Sequence, residues 1–149
     1  MGADLYIESV FKPHHERLSA GFDKAIAERD SLTPGTVEYE AAQQRATECF
    51  DQMYAEGYFR DPYNSWDVLW KLGLTWWADV LPNVNSNGQL PVESVQELLD
   101  LVNERLDLFE INVSELAPPE QAYFRERLEA LQQFLQKAIA LDEAVVASL

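Results

Sequence analysis

The sequence predicts an all-α protein, a compact bundle of about five helices with short extended termini that are able to pair. Apolar residues recur at helical spacing along five segments, and proline or glycine turn signals separate these segments. All four tryptophans lie between residues 54 and 77, which is typical of a buried central helix. With 149 residues and 47% hydrophobic composition, residues 1–149 are predicted to form a single domain.

The first elements are predicted from residue type and spacing. Residues 3–10 contain β-branched and aromatic side chains and are predicted to be a short strand or an extended arm. Pro13 suits a first helical position, so the first helix is expected to run from there to about residue 29. A turn at residues 33–36 follows, and Thr33 or Thr36 can cap the second helix.

The second helix is predicted over residues 36–56, with Gly57 as its natural end. Residues 58–65 form a predicted loop, and Asn64 or Ser65 is expected to cap the third helix. That helix, over residues 66–81, has apolar side chains on two sides and is therefore predicted to lie in the centre of the bundle. Its apolar side chains include Trp66, Trp70, Trp76 and Trp77.

The remaining chain predicts two further helices. Pro91 opens the fourth, whose apolar stripe runs from Val95 to Phe109, and Pro119 starts the fifth. The fifth helix is expected to direct one stripe inward, formed by Phe124, Leu128, Leu131, Leu135, Ala138 and Leu141. Residues 144–149 are predicted to form a short strand or extended tail near residues 4–8.

Charge and cysteine content restrict the class of protein. The chain has 26 acidic against 11 basic residues, for a net charge of −15, so direct nucleic-acid binding is not expected. It lacks an apolar run long enough for a membrane span, and its first residues do not resemble a signal peptide. The expected location is the cytoplasm. A single cysteine, Cys49, excludes an internal disulfide and a cysteine-rich zinc site.

Two segments are candidate metal sites. Residues 83–94 have part of the spacing of an EF-hand loop, but positions one, three and five are neutral asparagines and position twelve is Ser94. An Asn-Gly turn before a proline-started helix explains the segment better. His14 and His15 are adjacent, so they diverge by about 100° on a helix and cannot chelate one ion together. No metal ion and no cofactor is predicted.

The thiol of Cys49 is a candidate nucleophile. Its position on the apolar stripe of the second predicted helix favours a buried structural thiol, because nothing cationic adjoins it in the sequence to lower its pKa. The chain also lacks a glycine-rich phosphate loop, a Gly-x-Ser-x-Gly motif and a His-Glu-x-x-His motif. No catalytic residue is therefore assigned.

The densest polar cluster adjoins the aromatic segment and is the candidate recognition surface. Functional residues concentrate on loops that a rigid scaffold holds in place. An alternative explanation is that Arg60 and Asp61 lock the loop, that Asn64 caps a helix and that Asp67 favours the helix N-terminus. The candidate binding residues are Tyr58, Arg60, Asp61, Tyr63, Asn64 and Trp76.

Three stretches of sequence carry a resemblance. The start MGADLYI, the segment GYFRDPYN continuing to the Trp76-Trp77 pair, and residues 121–127 are similar to a group of small bacterial proteins. The likeness covers most of the chain. It implies a stand-alone bacterial protein, and it implies no particular activity.

These observations favour a non-catalytic interaction or ligand-binding module, whose partner is a protein or a small ligand. One alternative is an acidic decoy that mimics nucleic acid and occupies a basic partner's groove. A second alternative is a small enzyme that uses Arg60, Asp61 and His14 in one pocket. The protein is expected to be a monomer or a homodimer without membrane contact.

Overall fold

The structure is a computed structural model, and it describes residues 1–64 and 66–149. It corrects the predicted fold class, because a four-stranded sheet accompanies the helices. The contacts group the chain into two compact units, one formed by residues 8–58 and the other by residues 1–7 and 59–149. None of the described helices is both long and apolar enough to cross a membrane.

The unit formed by residues 8–58 is a helical hairpin of α1 (Glu8–Asp30) and α2 (Val37–Met53). Thr36 caps α2, since its hydroxyl accepts a hydrogen bond from the backbone N–H of Tyr39, which confirms one of the two predicted caps. The predicted start of the first helix at Pro13 is wrong, because α1 begins at Glu8 and contains this proline. Gly21 of α1 faces Cys49 of α2, and a Cβ added at Gly21 would lie at an ordinary contact distance of 3.7 Å from Sγ.

The other unit contains the sheet, whose strands are β1 (Gly2–Tyr6), β2 (Tyr58–Pro62), β3 (Gln89–Leu90) and β4 (Val145–Ser148). Their spatial order is β2-β1-β4-β3. The two ends of the chain pair antiparallel, with Leu5 opposite Ala147, so the predicted pairing of the termini is present. Ala3, Leu5 and Ile7 are fully buried, as expected for alternate residues on the covered face of a strand.

Three longer helices lie between β3 and β4 in the sequence: α4 (Val92–Glu104), α5 (Leu106–Ser114) and α6 (Pro118–Ala140). The predicted fourth helix is divided at Arg105, which leaves helical geometry at φ −104° and ψ 11°. After this break, Phe109 and Val113 of α5 are buried. The inward stripe of α6 is confirmed except for Leu141, which lies beyond the helix and is about half exposed.

The predicted central tryptophan helix over residues 66–81 is wrong. The chain there forms one short helix, α3 (Val68–Lys71), followed by a π-helical turn at Trp76–Val80 and a 3-10 turn at Leu81–Asn83. Gly73 causes the interruption, because it has φ +71° and a Cβ at this position would lie 2.5 Å from Leu108 Cδ2. The spacing of the tryptophans would place them on the stripes of one helix, but in the structure they belong to separate turns and do not form a common stripe.

Their burial differs accordingly. Trp76 is 1% exposed, whereas Trp66, Trp70 and Trp77 are 40%, 62% and 55% exposed. Trp76 is thus the one tryptophan of the core within residues 1–64 and 66–149.

We expect Trp76→Ala to lower the free energy of unfolding by about 3–5 kcal/mol, because it removes a buried indole. Trp70→Ala is the matched control and should cost less than about 1 kcal/mol, because most of its surface faces solvent. Urea denaturation followed by circular dichroism measures both values. Equal losses in the two variants would contradict the assigned core.

Candidate functional site

The segment from β2 to the π-helical turn is organised around the carboxylate of Asp61. This residue is 1% exposed, on the same covered face of β2 as Phe59. Its Oδ1 accepts the backbone N–H of Val68 at 2.9 Å, and its Oδ2 accepts the N–H of Leu69 at 3.2 Å. The indole Nε1–H of Trp76 donates to Oδ2 at 2.8 Å. One carboxylate thus connects a strand, the start of α3 and the buried tryptophan.

Asp67 is the N-cap of α3. Its Oδ1 accepts the backbone N–H groups of Leu69 at 2.9 Å and of Trp70 at 3.3 Å. The predicted cap, Asn64 or Ser65, is therefore wrong for Asn64, and Ser65 lies outside the described residues. Asn64 instead forms a turn, in which its Oδ1 accepts the N–H of Trp66 at 2.8 Å.

The pKa of Asp67 is raised by burial and by the neighbouring Asp61. Burial raises the pKa of Asp67 to about 8, and hydrogen bonding to Asp61 and the nearby charge of Asp61 act in the same direction. The backbone N–H donors of Leu69 and Trp70 oppose the shift. At neutral pH the Asp67 carboxyl is therefore largely protonated and can donate a hydrogen bond to Asp61.

Thr75 holds the next turn in place. Its Oγ1 accepts the N–H of Ala78 at 3.0 Å, while its own N–H donates to Asp79 Oδ2 at 2.7 Å. This reciprocal capping fixes the start of the Trp76–Val80 turn. The backbone at Trp76 and Trp77 is therefore held in a defined conformation.

These elements surround an open pocket with a volume of about 370 Å³, which we call the tryptophan pocket. Its size is within the range of small-molecule sites. Four of its lining side chains are aromatic and three are polar. They are Tyr63, Asn64, Asp67, Trp70, Thr75, Trp76 and Trp77.

Tyr63 lines the pocket with its ring and carries an unusual buried hydroxyl. Its ring packs against Trp77 with ring centroids 5.4 Å apart. Its hydroxyl is buried and has no hydrogen-bond partner within residues 1–64 and 66–149. Burial, followed by the charge of Asp4, raises the pKa of this phenol, so Tyr63 is a neutral group with an unused donor and acceptor.

The six predicted binding residues separate into three groups. Tyr63, Asn64 and Trp76 line the tryptophan pocket. Asp61 is not a lining residue, but it accepts a hydrogen bond from Trp76. Trp76 is almost fully buried, so little of its ring faces the pocket. The remaining two, Tyr58 and Arg60, are not among the lining residues.

Arg60 and Tyr58 have other contacts. The Arg60 guanidinium donates from Nη1 to both carboxylate oxygens of Asp4, at 2.9 and 3.0 Å, on the face of β2 opposite Asp61. The ring of Tyr58 contacts those of Phe11 and Tyr54 within the helical hairpin unit. Arg60 and Asp61 therefore do not converge as the enzyme hypothesis requires.

Sequence reasoning missed Trp70, Thr75 and Trp77 as site residues, and it treated Asp67 as a helix-terminal charge. The two tryptophans were assigned to a buried stripe because helical spacing was extended through Gly73. A better signal was Thr75 four residues before Asp79, a pair able to cap a new turn. That pair indicates that a new helical turn begins between Trp70 and Trp76.

The other candidates have structural contacts. His14 donates from Nε2 to the carbonyl oxygen of Gln52 at 2.5 Å and accepts from Arg17 at Nδ1. Asn85 Oδ1 accepts the N–H groups of Asn87 and Gln89, which closes the Asn-Gly turn. Cys49 is partly exposed, so the prediction that it is buried is wrong.

No protein-family model, curated protein or solved structure matches the chain.

We expect Asp61→Asn to destabilise the protein strongly, because the amide places a donor among three N–H donors. Each buried N–H left without an acceptor costs about 1–3 kcal/mol. Asp67→Asn is the matched control and should change stability little at neutral pH, because asparagine resembles a protonated aspartate and caps helices well. Chemical denaturation measures the difference, and a milder effect for Asp61→Asn would contradict the assigned roles.

The raised pKa of Asp67 predicts a pH-dependent stability. Since the folded state binds this proton more tightly than the unfolded state, its contribution is present at low pH and falls as pH rises from about 4 to about 8. Thermal melts of the wild type and Asp67→Asn between about pH 5 and about pH 9 isolate this contribution. The wild type should lose stability relative to the variant up to about pH 8, and parallel curves would contradict the shift.

Proposed function

We propose that this protein is a non-catalytic ligand-binding module and that the tryptophan pocket is its site. The observation that carries the proposal is the exposure of two indoles, Trp70 and Trp77, in a recess of about 370 Å³. Exposed large aromatic side chains lose little conformational freedom on binding and offer a large contact area. The hydrogen bonds of Asp61, Asp67 and Thr75 hold the pocket in shape before a ligand arrives.

The polar groups of the pocket support binding more than catalysis. Asn64, Asp67 and Thr75 each accept backbone N–H groups, so their orientation is fixed. Each retains capacity for a further hydrogen bond. A few oriented polar groups within an aromatic lining are typical of small-molecule sites.

The proposal includes the setting expected from composition. We place the protein in the bacterial cytoplasm, as a monomer or a homodimer that does not bind nucleic acid directly. Its ligand is a small molecule or a side chain of a partner protein. The net charge of −15 supports exclusion of polyanions.

The test is a screen of neutral, anionic and cationic fragments by two-dimensional NMR of the indole N–H groups. Because the chain has four tryptophans, each variant that removes one assigns one signal. We expect a subset of fragments to shift the Trp70 and Trp77 signals, and these shifts should vanish in Trp77→Ala.

Trp66 is the internal control. Its indole is 40% exposed but stacks on Phe124 with centroids 5.7 Å apart, and it is not among the residues lining the pocket. Its signal should stay unchanged when the pocket is filled. A screen in which no fragment shifts Trp70 or Trp77, or in which all four signals respond alike, would reject the proposed site.

A further inference from the structure

We propose that the tryptophan pocket binds an organic cation, such as a quaternary or methylated ammonium group, between its indoles and the Asp67 carboxylate. This inference rests on the proposed function and names the chemical class of its ligand. It is carried by three features of the pocket: the aromatic lining, the carboxyl group beside it, and the engagement of nearby cations with other groups.

The aromatic lining favours a cation. Indole rings bind ammonium groups better than other aromatic side chains, because their π faces are electron-rich. Trp70 and Trp77 are both more than half exposed, and the ring of Tyr63 lies 5.4 Å from that of Trp77. Several aromatic rings are therefore available to one small ligand.

Once Asp67 is ionised, the charge around the pocket is complementary to such a ligand. Its described lining residues include the carboxyl group of Asp67 and neither lysine nor arginine. Asp61 is hydrogen-bonded to this carboxyl group. Asp79 accepts a hydrogen bond from the backbone N–H of Thr75. The whole chain carries a net charge of −15, which raises the local concentration of cations.

The cationic side chains of this segment are engaged with other groups. Lys71 Nζ lies 5.0 Å from the centroid of the Phe124 ring, and Arg60 forms an ion pair with Asp4. An external cation therefore finds the carboxyl group of Asp67 without a competing lysine or arginine in the described lining.

Proton linkage gives the inference a second signature. The carboxyl group of Asp67 is faced by Asp61 from β2 and by Tyr63 from the loop after it, and burial raises its pKa to about 8. A cation favours the ionised form, so binding below this pH releases a proton. Affinity should therefore rise with pH, by about tenfold in all, and level off above about pH 8.

The experiment titrates the wild-type protein with choline and with its neutral tert-butyl analogue, in which carbon replaces the quaternary nitrogen. Indole NMR shifts and calorimetry report binding at constant ionic strength. At a pH of about 8.5 we expect choline to bind about tenfold more tightly than the analogue. We expect the affinity of Asp67→Asn for choline to be about tenfold lower at this pH and to change little with pH.

Each outcome decides between the two proposals. Equal binding of choline and its analogue, or a pH-independent affinity for choline, would overturn the cation assignment and leave the pocket as the site. Failure of both compounds while other fragments shift Trp70 and Trp77 would overturn the cation assignment alone. Failure of every fragment would overturn the site itself.

The folded state of Asp67→Asn is checked by its melting curve before titration. Should this variant unfold, the comparison of choline with its analogue on the wild type still decides the question. Trp70→Ala supplies a second variant, because removing a largely exposed indole should leave the fold intact and lower the affinity for choline by about tenfold.

Discussion

The buried carboxylate of Asp61 is the constraint on which the segment from β2 to the π-helical turn depends. A charge removed from water is costly unless several donors surround it. The donors here are the N–H groups of Val68 and Leu69 and the indole of Trp76, which come from two separate turns. The chain must therefore bend back on β2 twice, and the positions of α3 and of Trp76 follow from that requirement.

The tryptophan pocket is a consequence of the same arrangement. Because Trp76 is directed inward to Asp61, its neighbour Trp77 lies on the outer side of the turn. Trp70 is likewise outside, since α3 directs Val68 and Leu69 into the core. The turns that bury Trp76 therefore leave the indoles of Trp70 and Trp77 exposed. The N-cap residue Asp67 places a carboxyl group beside them.

The two carboxyl groups have different roles although they lie close together. Asp61 accepts three N–H groups, whereas burial and the neighbouring Asp61 raise the pKa of Asp67. Such a pair makes the N-terminus of α3 sensitive to charge. A cation in the pocket would replace the proton, so ligand chemistry and local stability are connected through one residue.

Some of this molecule follows from the sequence by itself. The cap at Thr36 and the buried stripe of α6 depend on nearby residue types and on helical spacing, which the sequence shows directly. Residue types also predicted two short extended ends, which pair in the structure. The predicted loop cluster also contained Asp61, Tyr63 and Asn64. Local patterns could identify those residues as important, since polar side chains beside an aromatic segment are conspicuous in any fold.

Only the tertiary structure decided the rest. β3 has two residues and carries no periodic signal, so its place in the sheet depends on pairing with β4. The tryptophans fit a helical stripe, but Gly73 against Leu108 and the capping pair of Thr75 and Asp79 end that helix. The one buried indole, that of Trp76 among the described residues, donates a hydrogen bond to Asp61, fifteen residues earlier in the chain. Local spacing does not indicate a contact over that distance, because only the fold brings the two residues together.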